Sequence, residues 1–158
     1  MDEQARARDI LDAQENRGSV RLLDEEGIAR LLRSARRIAV VGASSNPVRA
    51  SNSVFETLVA AGFDCVPVNP NEREVLGHKA YATLEEAAEA IGRFDIVDVF
   101  RRPEFCADHA REAVAIGARC LWLQLGIVNW EAAQIAAEGG LRVVMDRCTA
   151  VEVRRLGL

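Results

Sequence analysis

Residues 36–45 read Arg-Arg-Ile-Ala-Val-Val-Gly-Ala-Ser-Ser, and the predicted fold follows from this segment. The apolar run at 38–41 is typical of a parallel strand that is buried on both faces. Gly42 ends the run and lets the backbone turn tightly and approach a ligand closely. The loop leads into an amphipathic segment, and the free N–H groups at the start of a helix there would attract an anion. The stretch therefore predicts the first half of a nucleotide-binding βαβ unit.

The loop departs from the dinucleotide fingerprint G-x-G-x-x-G. That fingerprint requires glycine at positions 44 and 47, where this chain has Ser44 and Pro47. The remaining sequence, Gly-Ala-Ser-Ser-Asn-Pro, offers serine hydroxyls as hydrogen-bond donors in addition to backbone amides. Because the loop follows a predicted strand, we favour a phosphate-binding role over an ordinary strand-to-helix turn.

Composition and charge argue against several classes of protein. The chain has 158 residues, 49% hydrophobic and 28% charged, which is typical of one globular domain. The net charge of −4 disfavours a nucleic-acid partner, which normally requires a basic surface. No apolar run approaches the roughly 20 residues that span a bilayer, and the first residues do not resemble a secretory signal. We therefore expect a cytoplasmic protein with no membrane partner.

The cysteines and histidines show no metal-binding pattern. His78 and His109 are each far in sequence from a plausible catalytic partner, so we expect structural or surface roles for them. No two cysteines have C-x-x-C spacing, which predicts reduced thiols and no metal site. The cysteines are Cys65, Cys106, Cys120 and Cys148.

Apolar runs alternate with helical patterns along the chain, which predicts parallel βαβ units and a doubly wound α/β sheet in a single domain. The right-handed crossover rule favours the strand order 3-2-1-4-5-6. Ser53-x-x-Glu56 predicts a capping box at one helix start, and Thr83 and Asn129 predict caps at two others. The predicted strands are 38–41, 65–68, a short third one within 75–81, 96–100, 119–123 and 142–145.

In such sheets a ligand lies beyond the carboxyl ends of the strands, at the switch point between strands 1 and 4. Phe100 and Arg101 end strand 4 there, so we expect Arg101 or Arg102 to pair with a phosphate and the Phe100 ring to pack on the ligand. Arg49, within the first loop, is a further candidate. Solvent-exposed arginines are the alternative for all three.

Three other positions bear on the choice of function. Asn69 ends strand 2 where nicotinamide enzymes usually place an acid, which disfavours NAD. Cys148 follows the last strand beside Arg147, so it is either a reactive thiol or an ordinary half-buried one. Asp98 lies within a central strand, and we expect loop amides to satisfy its carboxylate.

With these segments in place, the chain resembles the small CoA-binding domain proteins, which are stand-alone relatives of the N-terminal Rossmann domain of the succinyl-CoA synthetase α subunit. The resemblance runs in order from about residue 36 to 156, and residues 1–22 lie outside it. It rests on Val41-Gly42-Ala43-Ser44, Asn46-Pro47-x-Arg49-x-Ser51, Pro67-Val68-Asn69-Pro70, Val97-Asp98-Val99-Phe100-Arg101-Arg102-Pro103, Trp122-Leu123-Gln124-Leu125-Gly126-Ile127 and Val143-Val144-Met145-Asp146-Arg147-Cys148.

The resemblance implies a Rossmann-like fold and a CoA ligand. It places the CoA phosphates on the Gly42 loop, the adenosine near Asn69 and the pantetheine arm along Phe100 and Gln124. Neither histidine lies in a matching motif, so ligase activity is not implied. The expected CoA-binding residues are Gly42, Ala43, Ser44, Ser45, Arg49, Ser51, Asn69, Pro70, Asn71, Phe100, Arg101, Arg102, Gln124, Gly126 and Cys148.

These observations together predict an N-terminal extension over residues 1–22 and a CoA-binding domain over 23–158. The domain would bind CoA or an acyl-CoA as a sensor, carrier or regulator, without being a self-sufficient enzyme. A protein partner or a homo-oligomer is compatible with that role. Two alternatives stay open: a small NAD(P)-binding oxidoreductase or redox-sensing domain, and a thiol or acyl-transfer enzyme that uses Cys148.

Overall fold

The computed structural model describes residues 2–158 of the chain. The elements alternate along most of the sequence, as the hydrophobic pattern predicts. They are α1 Glu3–Gln14, α2 Glu25–Ser34, β1 Arg37–Val41, α3 Ala50–Ala60, β2 Asp64–Val68, β3 Glu74–Val75, β4 His78–Lys79, α4 Leu84–Ile91, β5 Ile96–Val99, α5 Pro103–Ala115, β6 Cys120–Leu123, α6 Trp130–Glu138, β7 Arg142–Val144 and α7 Thr149–Arg155.

The main sheet has five parallel strands in the order β2-β1-β5-β6-β7. Val41, at the end of β1, is level with Val68 of β2 on one side and Val99 of β5 on the other. The chain moves outward from β1 to β2 and then returns to the opposite side at β5. The switch point therefore lies between β1 and β5, and the doubly wound α/β fold is confirmed.

The predicted third strand is not part of this sheet, so the order 3-2-1-4-5-6 is wrong at its first position. Residues 74–79 instead form the antiparallel pair β3–β4, closed by Leu76 and Gly77. These two residues have φ of +48° and +83°, which is the conformation of a tight two-residue hairpin turn. The turn folds the segment back on itself, and only Tyr81 makes a parallel bridge to the outer strand, at Val68.

Each strand contributes alternate residues to two cores, one on each face of the sheet. Val41, Val99 and Leu123 belong to the core that is covered by α1, α4, α5 and α6. Val40 and Trp122 belong to the core that is covered by α2, α3 and α7. This two-sided burial explains why the strands are continuously apolar in sequence.

Two of the three predicted helix caps are confirmed. Thr83 Oγ1 accepts a hydrogen bond from the Glu86 amide at 3.1 Å, and Asn129 Oδ1 accepts one from the Ala132 amide at 2.8 Å. The capping box at Ser53 is wrong, because α3 begins at Ala50 and the Ser53 hydroxyl donates to the Ala50 carbonyl at 3.2 Å. The loop after β1 is therefore shorter than the sequence pattern indicates.

The N-terminal segment packs on the domain. Ala13 of α1 and Leu22 are buried in the core on the α5–α6 side of the sheet. Gly18 lies against the ring of Trp130, and a β-carbon at Gly18 would overlap that ring. The division of the chain at residue 22 stays a prediction. None of the helices described for residues 2–158 is both long and apolar enough to cross a membrane.

Candidate ligand-binding site

Gly42 brings the first loop close to the end of β5. Its φ is +84°, and its N–H donates to the Val68 carbonyl at 2.9 Å. A β-carbon at this position would lie 2.6 Å from the Phe100 carbonyl oxygen and 3.2 Å from the Arg101 side chain. Only glycine fits both the backbone conformation and the close approach. The loop and the β5 arginines therefore meet across the switch point.

Two asparagine side chains hold the loop in place. Asn69 Nδ2, at the end of β2, donates to the Ala43 carbonyl at 2.9 Å. Asn52 Nδ2, in the first turn of α3, donates to the Ser44 carbonyl at 2.9 Å. Both amides therefore satisfy loop carbonyls and tie the loop to β2 and α3.

A cleft of about 540 Å³ opens at this point and contains eight of the fifteen predicted residues. A second cleft, of about 480 Å³, shares three of those eight and adds Gln124 and Cys148. Apart from the shared arginines and Gln124, its walls are largely apolar, with Val54, Leu125 and Ile127 among them. The eight residues of the first cleft are Gly42, Arg49, Asn69, Pro70, Asn71, Phe100, Arg101 and Arg102, of which Phe100, Arg101 and Arg102 are shared.

The other five predicted residues lie beside the clefts without lining them. Ala43 and Ser51 are buried, and Ser44 Oγ accepts a hydrogen bond from the Asn46 amide within the loop. Ser45 donates through its amide and its hydroxyl to the Glu72 carboxylate, at 3.3 and 3.1 Å. Gly126 donates to the Asp146 carboxylate at 2.6 Å. The Glu72 carboxylate thus already accepts hydrogen bonds from both donors of Ser45.

Two of the helices that begin at the clefts, α3 and α5, have an arginine at the N-cap position. Side chains cap four helices, through Asp2, Asp24, Thr83 and Asn129. By contrast, α3, α5 and α7 have no side-chain cap among the residues described, and their N-cap residues line the clefts: Arg49, Arg102 and Cys148. A basic residue at the positive end of a helix is electrostatically unfavourable. Both α3 and α5 therefore present a guanidinium to the cleft. The start of α3 also has backbone N–H groups that no side chain caps, whereas Pro103 at the start of α5 has no N–H.

The Arg101 guanidinium is positioned by an aromatic ring. It lies 4.5 Å from the centroid of Phe105, and Arg102 lies 5.8 Å from the same ring. The nearest carboxylate to Arg102 is Glu104, at 3.8 Å, and the Arg102 side chain is 79% exposed. Such an exposed pair contributes little. Arg101 forms no salt bridge within residues 2–158, so its charge is available to an anion.

Comparison with known proteins agrees with this geometry. The model of a family described as CoA binding domain matches residues 36–154. The chain belongs to this family. Its similarity to YneT of Bacillus subtilis (strain 168) is 43% identity over 124 residues, which covers 78% of this CoA binding domain protein and 90% of YneT.

Two solved structures are similar in both sequence and fold. A hypothetical protein from Pyrococcus horikoshii OT3 is 36% identical with a TM-score of 0.80, covering 86% of this chain and 94% of its own. The structure of cell-free ID.343 from Thermus thermophilus is 36% identical with a TM-score of 0.77, covering 85% of this chain and 99% of its own. The CoA binding domain fold of the present chain is therefore shared over nearly the full length of both.

Sequence reasoning missed a His–Glu pair in the first cleft. His109 Nδ1 lies 3.0 Å from Glu112 Oε1, and both side chains line the cleft beside Phe105. Burial lowers the pKa of His109, and Arg101 lowers it further, while Glu112 acts in the opposite direction. The spacing 105, 109 and 112 on a helix that starts at the switch point is the signal that could have identified this face.

Asp98 lies beneath the clefts of the CoA binding domain, and its carboxyl group has other hydrogen-bond partners than the predicted loop amides. Loop amides do not reach it. Gln124 Nε2 donates to Asp98 Oδ1 at 2.6 Å, and Thr149 Oγ1 donates to Asp98 Oδ2 at 2.9 Å. Burial raises the pKa of Asp98 to about 7, and the two hydrogen bonds only partly oppose this. Gln124, which is 3% exposed, therefore bonds to the buried Asp98 and also lines the second cleft.

The thiols differ in their exposure. Burial raises the pKa of Cys65 and Cys106 to about 12 and raises that of Cys120 still further, so these three are inert at neutral pH. Cys148 is half-buried and lines the second cleft. No set of three or more His, Cys, Asp or Glu side chains within residues 2–158 is arranged to hold a metal ion.

Proposed function

We propose that this protein binds CoA or an acyl-CoA across the two joined clefts, as a sensor, carrier or regulatory module in the cytoplasm. The CoA phosphates would lie on the Gly42 loop, with Arg101 pairing to one of them. The adenosine would lie against Asn69 and Pro70, and the pantetheine arm would follow Phe100 into the second cleft. Membership of the CoA binding domain family supports this choice of ligand.

The observation that carries the proposal is the arginine at the uncapped start of two helices, Arg49 at α3 and Arg102 at α5, beside Arg101 in the first cleft. Free helix N–H groups and arginines together form an anion site. The two clefts also differ in polarity in the way that CoA does, since the second is largely apolar. Their volumes of about 540 and 480 Å³ are in the range that small-molecule ligands occupy.

Two observations weigh against the alternatives. The amide of Asn69, at the end of β2, is already bonded to the Ala43 carbonyl and offers no carboxylate to a ribose, which disfavours NAD. Arg147, the neighbour of Cys148, is bonded to Glu25 and Glu152 at 2.7 Å each. Its charge is therefore compensated and does little to activate the Cys148 thiol for acyl transfer.

Isothermal titration calorimetry tests the proposal directly. We expect CoA or acetyl-CoA to bind more tightly than NAD, NADP or ATP. The variant Arg101→Glu should weaken CoA about tenfold or more, because it reverses a charge next to a phosphate. It should leave phosphate-free pantetheine less affected. Arg8→Glu, on the exposed face of α1, provides the same charge change away from the clefts.

Three outcomes would count against CoA binding at this site. NAD that binds far more tightly than CoA would favour the oxidoreductase alternative. Equal weakening of CoA and pantetheine by Arg101→Glu would remove the phosphate role of Arg101. An equal effect of Arg8→Glu and Arg101→Glu on CoA would show only the influence of net charge.

A further inference from the structure

A third cleft, of about 400 Å³, lies at the opposite edge of the sheet, where β5, β6 and β7 begin. Four arginines from four separate segments line it: Arg30 on α2, Arg93 before β5, Arg119 before β6 and Arg142 at the start of β7. None of the described residues that line it carries a carboxylate. In a protein with a net charge of −4, this concentration of positive charge is local.

Arg119 is oriented within this arginine cleft by two long polar contacts. Its Nη1 lies 3.4 Å from Asp95 Oδ1, and its Nη2 lies 3.4 Å from Ser34 Oγ. Asp95 is in turn fixed by the backbone amides of Arg36 and Arg37, at 2.8 and 3.0 Å. A guanidinium that is oriented before binding loses less conformational entropy when it binds an anion.

The other arginines are largely uncompensated. The side chains of Arg93 and Arg142 make no hydrogen bond or ion pair within residues 2–158, and Arg30 is 4.0 Å from its nearest carboxylate, on Glu26. Like charges that converge on one cleft repel each other, and a bound anion relieves that repulsion. Guanidinium groups also match the geometry of phosphate oxygens, with which they form paired hydrogen bonds.

We propose that the arginine cleft is a second anion site, which binds a small molecule carrying two or more linked phosphates. A single phosphate is much smaller than the cleft, which has a volume of about 400 Å³, so a ligand with linked phosphates fills it better. Leu31 and Ala118, among the lining residues, add an apolar surface for the remainder of the ligand. Because α2 precedes the family match at residues 36–154, this site combines the family domain with the helix before it.

A simpler explanation exists for some of these arginines. Arg93, Arg119 and Arg142 each follow the C-terminal end of a helix, where a positive charge is favourable. That effect accounts for one cation per helix, but it predicts no saturable binding of an anion. Binding therefore separates the two explanations.

NMR titration of the ¹⁵N-labelled protein with inorganic tripolyphosphate tests the proposal. We expect saturable shifts of the Gly27, Ala118 and Gly140 amides, which line the arginine cleft. The double variant Arg93→Gln/Arg142→Gln should weaken this binding about tenfold or more, because it removes two exposed charges from the site. The double variant Arg6→Gln/Arg8→Gln removes the same charge from exposed positions on α1 and should change the affinity less than about twofold.

The controls distinguish this site from the CoA clefts. Arg101→Gln should leave the tripolyphosphate shifts at Gly140 unchanged, and shifts at Gly42 alone would overturn the second site. Shifts that do not saturate, or equal affinity of the Arg93→Gln/Arg142→Gln variant, would overturn it as well. Orthophosphate that binds as tightly as tripolyphosphate would overturn the assignment to linked phosphates. None of these results bears on whether the protein binds CoA, which the calorimetry measures separately.

Discussion

The variant Asp98→Asn tests whether a buried carboxyl group makes the stability of this protein depend on pH. Asp98 is 0% exposed and is bonded to Gln124 and Thr149. Burial raises the pKa of Asp98 from 3.8 to about 7. Between these values the folded protein retains a proton that the unfolded chain has released. The free energy of unfolding therefore falls as the pH rises through this window.

The size of the effect follows from the pKa change. A difference of about three pKa units corresponds to about 4 kcal/mol, since each unit is worth about 1.4 kcal/mol. Asparagine has nearly the same shape as aspartate, keeps one acceptor for Gln124 and donates to Thr149, but it cannot ionise. We therefore expect Asp98→Asn to gain stability relative to the wild type as the pH rises, by up to about 4 kcal/mol between pH 4 and pH 8.

Urea denaturation at a series of pH values, followed by tryptophan fluorescence, measures this difference. Trp122 is a suitable reporter because it is buried in the same core, with its Nε1 donating to the Arg147 carbonyl at 2.8 Å. Taking the difference between variant and wild type removes the contribution of the other titrating groups. Asp108→Asn, at an exposed position on α5, controls for the loss of a carboxylate. A difference that is constant with pH, or that declines as the pH rises, would show that Asp98 does not have a raised pKa in the folded protein.

Other substitutions test the loop and the thiol. Gly42→Ala should destabilise the protein by more than Gly62→Ala in urea denaturation. Both glycines have positive φ, a conformation that costs an alanine about 1–2 kcal/mol. Only at position 42 would the alanine β-carbon also meet the Phe100 carbonyl oxygen. Equal losses would show that this close approach is unimportant. Cys148→Ser should keep the CoA affinity within a few-fold in calorimetry. Loss of a thioester-dependent turnover in Cys148→Ser would instead favour the acyl-transfer alternative.

Most of the main sheet was predictable because its strands are short, continuous apolar runs. The boundaries of β1, β2, β5, β6 and β7 agree with the sequence prediction to within one residue at each end. Thr83 and Asn129 marked helix starts because a cap acts over only three residues. The prediction of a third strand in the main sheet was wrong because residues 74–79 form backbone hydrogen bonds with each other, across the turn at Leu76 and Gly77.

The sequence predicted the location of the candidate site better than it predicted which residues line it. The switch-point rule identified the edge of the sheet, and Gly42 and Arg101 meet there. The rule says nothing about side-chain partners. Glu72 reaches the amide of Ser45, 27 positions away, and Asp146 reaches Gly126, 20 positions away. These carboxylates take up donors that the sequence pattern assigned to a ligand.

The pattern along the chain was enough to predict the alternation of strands and helices and the position of the tight glycine turn, because each depends on neighbours a few residues apart. The parallel sheet followed from that alternation, since strands joined by helices pair in parallel. The folded structure was needed to show that Gln124 turns inward to Asp98, that His109 and Glu112 face the first cleft, and that four distant arginines converge on another cleft. Such pairings depend on distances that the packing of the whole chain sets. Side-chain chemistry acts only once that packing has brought the groups within a few ångströms of each other.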